Sequence, residues 1–127
     1  LAEVEQLENY LIANGHVYDG STSDDVAKSL ATDSGWNSSD VTGAVGNVDF
    51  PEYRNKSGFS ALPGGRLWLY GGLFTQVGSV GSWWTTKEYN HDINCVTCME
   101  LWKDYSDIMI MQNMNKDAAV SVRCVQD

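Results

Sequence analysis

The sequence predicts an α+β domain, and three observations predict it. Apolar residues recur at helical spacing only before Gly35. Runs that alternate from side to side, rich in β-branched and aromatic residues, occur only after Gly65. The stretch between them, Trp36 to Gly65, holds to neither period. Helices first and strands after is the α+β order.

Taken in order, residues 2–14 read as a helix, with Val4, Leu7 and Leu11 in one stripe and Tyr10 adding to it. Glu3, Glu5 and Glu8 lie toward its N-terminal end, where the helix dipole favours acids. Asn14-Gly15 is its stop. A shorter helix follows, with Ser23 as N-cap, Asp24 and Asp25 in the first turn, and Val26, Ala27, Leu30 and Ala31 facing inward. The stretch 36–65 is loop by its Gly, Pro, Ser, Asn and Asp content. Trp36, Val45, Phe50, Tyr53, Phe59 and Leu62 make it an ordered, packed loop rather than a linker. Strands are expected at 66–70, 83–86, 95–102, 107–112 and 119–125. In the third of these Cys95, Thr97, Met99 and Leu101 oppose Val96, Cys98, Glu100 and Trp102; in the fourth Ile108 and Ile110 oppose Met109 and Met111. Short links near 104–106 and 113–117 predict antiparallel hairpins.

The 127 residues make one domain, 1–127, large enough to hold a core without a metal or disulfide staple. Eight Lys and Arg against 17 Asp and Glu give a net charge of −9, which disfavours nucleic acid as a partner. No basic amphipathic helix and no apolar run of ~20 residues supports membrane insertion by this domain. The chain starts at Leu1 without a signal peptide, so it reads as a mature form or the C-terminal part of a longer polypeptide.

The residues with reactive chemistry have plain structural readings. Cys95-Val-Thr-Cys98 is a CxxC in a strand pattern, not at the helix N-terminus that a redox pair needs, and a zinc site lacks its further ligands. Cys124 reads as a buried, inert thiol. His91 beside Asp92 is a general-base candidate without a nucleophile, so an exposed loop histidine is the favoured reading, as for His16. Asp24-Asp25 fits a helix start better than an acid–base pair. Asp49, Glu52 and the loop Asn residues are oxygen donors without a calcium-loop spacing, and Gly72, Gly78 and Gly81 match no phosphate loop. No cofactor is expected. The segment 89–117 is the unusual one: Met99, Trp102, Tyr105, Met109, Met111 and Met114 recur among Asn and Asp, a binding-surface composition. The competing reading places those methionines in the core.

Several segments carry a family resemblance. They are Gln6–Asn14 with Tyr18-Asp19-Gly20, Ala27-Lys28-Ser29-Leu30-Ala31, Ser34-Gly35-Trp36-Asn37, Gly43-Ala-Val-Gly46-Asn47, the run Arg54 to Arg66, Gly81 to Glu88 and Ser121 to Val125. Together they resemble the Fibrobacter succinogenes major paralogous domain over nearly the whole chain. The resemblance implies a C-type-lectin-like fold with two helices, long ordered loops and a small antiparallel sheet. It implies a place on surface lipoproteins and adhesin-like proteins, and a likeness to the variable proteins of diversity-generating retroelements, whose C-terminal surface codons are rewritten. The chain departs from the family at Cys95, Cys98, Met99, Met109, Met111 and Met114, where Asn, Tyr and Arg are more usual, and at Ala119-Val120. The strand usual before the first helix is missing, as in a trimmed chain.

On that resemblance the expected function is ligand binding, without catalysis, at a bacterial or phage surface: cell-surface, extracellular, lipoprotein-anchored or on a phage tail fibre. The partner is a protein or glycan on another cell or on a phage or host surface. The candidate contacts are Tyr89, Asn90, His91, Asp92, Asn94, Val96, Thr97, Met99, Trp102, Asp104, Tyr105, Asp107, Met109, Met111 and Asn113. Trp102 and Tyr105 are the expected anchors, and Trp36, Trp68, Trp83 and Trp84 the scaffold. Losing Trp102 is expected to abolish binding and spare folding. The alternatives are an oxidoreductase like the formylglycine-generating enzymes of the same fold, or a structural module of a pilus or fibre tip. No Glu-Pro-Asn or Gln-Pro-Asp sugar motif is present, so the fold name does not imply a carbohydrate ligand.

Overall fold

The computed structural model describes residues 2–67, 72–89 and 92–124. The protein is a small α+β protein with two helices and two antiparallel sheets. Helix α1 spans Ala2–Ala13 and α2 is a single turn, Ala27–Leu30. Strands β1 (Arg66–Leu67) and β2 (Phe74–Thr75) form a two-stranded sheet. The main sheet has the order β3 (Val80–Glu88), β4 (Cys95–Trp102), β5 (Met109–Asn115).

Val4 and Leu11 of α1 are buried and Leu7 packs beside them, but Tyr10 lies exposed, outside the expected stripe. The Gly15 stop is in place, with φ of +71° and its N–H bonded to Ile12 O. Ser23 does not cap α2. Val26 occupies that position without a side-chain bond, while the hydroxyls of Ser23 and Ser106 both donate to the Asp25 carboxylate. Those bonds, not a helix dipole, hold Asp25 beside the β4–β5 turn.

The segment 36–65 is packed, as its apolar residues require. Val45 and Ala61 are buried, Phe59 meets Trp83 edge-on at 5.8 Å, and Trp36 Nε1–H donates to Ala61 O over 3.2 Å. Leu62 is the exception and is exposed. A 3₁₀ turn forms at Pro51–Tyr53. Beneath it the ammonium of Lys28, itself buried, is ringed by Asn47 O, Asp49 O and the Asp49 carboxylate. Such a buried cation is tolerable only because it is paired and fully hydrogen-bonded.

The main sheet has two unlike faces. Trp83, Met99, Leu101, Ile108 and Ile110 face α1, α2 and the loop region and make the principal core. Cys98 and Met114 face the other way, with Ala118 against them and Trp84, Val96, Met111 and Val120 at the border. A bulge between Val96 and Cys98 lets two β4 residues span three on β5, from Met111 to Met114. The extra residue brings Met114 onto the face of Met111, where simple alternation would put it with Ile110.

Two expected strands are altered. Of 66–70 only Arg66–Leu67 is described as strand, and Trp68, Leu69 and Tyr70 lie outside the described residues. The expected strand 119–125 is replaced, over its described part, by two isolated bridges, Leu67 with Ala119 and Trp83 with Ser121. The expected 113–117 hairpin therefore is not formed, whereas the one around 104–106 is. The chain after β5 wedges between two partners, one residue each, so no ladder can grow and Val122 and Cys124 are exposed.

Candidate functional site

Glu100 is the one charged residue in the alternation of β4, and it is buried. Three groups satisfy its carboxylate. Arg66 Nη1 donates to Oε1 over 2.6 Å, Ser82 Oγ donates to the same oxygen over 2.8 Å, and Trp102 Nε1–H donates to Oε2 over 2.8 Å. The Arg66 guanidinium also lies 5.3 Å from the Trp102 ring centre. β1, β3 and β4 each supply part of this network, which locks the half-buried indole in one orientation.

Outside that lock lies an apolar hollow of about 230 Å³, lined by Glu100, Trp102, Tyr105, Met109, Ile110 and Met111. Tyr105 is 47 % exposed and stands edge-on to Trp102, 6.3 Å away at 89°. Met109 pairs with Glu100 and Met111 with Cys98, so both project from the face opposite the principal core. The turn carrying Tyr105 is fastened from behind. Val45 N–H donates to Tyr105 O at 3.0 Å, Gly46 N–H to Lys103 O at 2.7 Å, and Ala27 N–H to Ser106 O at 2.8 Å. Gly46 allows this close approach: a Cβ there would lie 2.4 Å from Asn37 O and 2.9 Å from Lys103 O.

The structure thus gathers Trp102, Tyr105, Met109 and Met111 around the hollow; Asp104 is exposed and ion-paired to Lys103, and does not line it. The Lys103 ammonium holds the Asp104 carboxyl below its usual value. Half-buried Asp107 sits on the α1 side instead, where with Asp24 it reinforces the upward shift that burial gives Glu8. Tyr89, Asp92, Asn94 and Asn113 lie toward the other end of the sheet, where Cys95 pairs with Asn115. Seven residues at a rise of ~3.3 Å separate that end from Trp102, about 23 Å. Asn90 and His91 lie outside the described residues.

Three of the expected contacts are corrected. Thr97 and Met99 are only 3 % and 4 % exposed, because their side of β4 is the one that α1 covers. Val96 is half-buried against the Cys98–Met114 cluster. The reading of the methionines is split accordingly: Met99 and Met114 are core, while Met109 and Met111 border the hollow. The sequence signal for the missed partners was Glu100 itself, since a carboxylate amid apolar alternation needs a cation, and Arg66 answers it.

The cysteines are free. Burial, with Glu100 nearby, pushes the Cys98 thiol up to about 12, against a smaller opposing effect of Arg66. Burial and Asp92 raise Cys95 as well. Cys124 is exposed rather than buried, since the last strand did not form. Asp49 is engaged by Lys28 and by Gly43 N–H, which takes it out of a calcium site. Among the described residues no helix is long and apolar enough to cross a membrane.

Comparison of the chain with protein-family models, with curated proteins and with solved structures returned no match.

Proposed function

We propose that this protein is a ligand-binding domain of C-type-lectin-like fold, displayed on a bacterial or phage surface, whose β4–β5 hairpin carries a diversified contact patch. One observation carries the reading. One exposed and one half-buried aromatic ring surround a hollow with two methionines, and the charged network of Glu100, Arg66 and Ser82 holds the half-buried ring rigid from below. Rigid aromatics bind with little entropic loss, and methionines adapt to the partner's shape. The partner is a protein or glycan of another surface. The two-helix, long-loop, small-sheet order and the family-like segments support the fold assignment. Raised thiol pKa values at Cys95 and Cys98 favour binding over cysteine-based oxidation, since the thiolate is the reactive form.

The test is to sequence the DNA beyond the gene's 3′ end, and the same locus across many cells. A near-copy of the codons for residues 83–127 that differs at adenines, beside a reverse transcriptase gene, is expected. The mismatches should fall on Trp102, Tyr105, Met109 and Met111 and spare Glu100. An invariant locus without such a copy removes the diversified patch.

A further inference from the structure

The sheet face bearing Trp83 and Met99 is covered by α1, and the cover is incomplete. One hollow of about 440 Å³ is lined by Val4, Leu7, Phe59, Trp83, Trp84 and Met99. A second, of about 400 Å³, lies by the C-terminal end of α1, bordered by Tyr10, His16 and Lys56. Leu7, Phe59 and Arg123 border both, so the two are parts of one groove along the helix. Its first part is aromatic and aliphatic. Its second part is cationic.

That cationic end is unusual in a chain of net charge −9. Among the described residues, four of the eight Lys and Arg are in salt bridges: Lys28, Arg66, Lys103 and Lys116. The other four are Arg54, Lys56, Lys87 and Arg123, of which Lys56 and Arg123 border the groove. Arg123 rests 4.0 Å from the Phe59 ring centre, and Lys56 lies 4.7 Å from that of Tyr53. Lys56 also donates to Gly15 O over 2.7 Å, a helix-end contact that occupies one of its three N–H groups. Cation–π contacts leave the positive charge uncompensated. His16 borders the same end, with its Nδ1 turned into the protein rather than into the groove. At the opposite end Glu3 borders the aromatic hollow and disfavours an anion there.

We infer that this groove binds a small amphipathic anion: an apolar or aromatic body against Leu7, Phe59 and Trp83, and a single carboxylate or sulfonate held by Arg123 and Lys56. The site is separate from the Trp102 hollow and stands whether or not the β4–β5 patch binds a partner.

The test uses two probes with the same aromatic body. 8-Anilinonaphthalene-1-sulfonate carries the anion, and N-phenyl-1-naphthylamine lacks it. Titrated into folded protein, the sulfonate is expected to bind one-to-one. Arg123→Gln and Lys56→Gln should each weaken it about ten-fold, the worth of one charge-assisted hydrogen bond. Neither should change the affinity of the neutral probe, and Lys87→Gln should change neither. The His16 imidazole, whose pKa burial and Lys56 hold low, should titrate at higher pH when the sulfonate is bound. Lys56 is exposed, so its variant keeps the test open should Arg123→Gln unfold. Sulfonate binding that ignores both substitutions, an equal loss for the neutral probe, or no one-to-one binding overturns the site.

Discussion

Trp102 Nε1–H donates to Glu100 Oε2 across 2.8 Å, so an exposed-side indole and a buried carboxylate two residues apart on β4 hold each other in place. Trp102 is therefore both part of the binding face and part of its support. That revises the expectation that losing Trp102 would spare folding.

The first prediction separates those roles. Trp102→Ala is expected to cost about 2–3 kcal/mol, from lost packing and an unmet Glu100 oxygen. Tyr105→Ala, at a residue 47 % exposed and without a side-chain hydrogen bond to Glu100, is expected to stay within about 1 kcal/mol of wild type. Urea titrations of the two variants check the difference. Equal losses would mean that the indole hydrogen bond contributes nothing.

Arg66→Met leaves the Glu100 carboxylate buried without its cation and is expected to cost about 3–5 kcal/mol. The double variant Arg66→Met/Glu100→Leu should recover much of that loss, because no charge then remains inside. A double-mutant cycle by chemical denaturation reads the coupling.

Asp49 sets an acid limit. Its burial raises the carboxyl pKa, but the Lys28 ammonium and Gly43 N–H outweigh that and hold it below the usual value. A carboxylate depressed in the folded state contributes stability above its unfolded pKa, about 3.9, and loses it as pH falls through the folded value. Asp49→Asn should flatten the loss of stability measured below about pH 4. At pH 7 it should cost about 3 kcal/mol, because Lys28 is left buried and unpaired.

Thiol labelling at pH 8 should show three rates. Cys124 is exposed and reacts first, Cys95 follows slowly, and Cys98, buried with its pKa pushed up to about 12, reacts only on unfolding. Fast labelling of Cys98 in native protein would contradict the placement of its side of β4.

Gly65→Ala should be severely destabilising, by about 3 kcal/mol or more. Its φ is +70°, and an added Cβ would sit 2.3 Å from Thr75 O. Gly58→Ala is the control, with a similar φ of +73° but nothing within 4 Å, and should cost only about 1 kcal/mol. Thermal unfolding of both variants separates backbone strain from collision.

Local pattern alone determined much of this protein. Uninterrupted alternation gave β4 its limits at Cys95 and Trp102, and the stripe of Val4 and Leu11 gave α1. The apolar residues scattered through 36–65 required a packed loop, because a polar linker would have no use for them. The opposed sets Ile108–Ile110 and Met109–Met111 were likewise legible, since side-chain direction along a strand follows a period of two. Tertiary structure decided which set is covered. α1 lies on the side of Met99 and Ile110, so Thr97 and Met99 are core and Trp102 and Met109 border a hollow. The bulge on β5 moved Met114 to the other face, and alternation cannot foretell a bulge because it comes from pairing with another strand. The last expected strand dissolved for a related reason: Ala119 and Ser121 have the residues for a ladder, but each meets a different neighbour. Strand pairing and the meeting of Glu100 with Arg66, 34 positions apart in the chain, are long-range events, and only the folded chain brings their partners together.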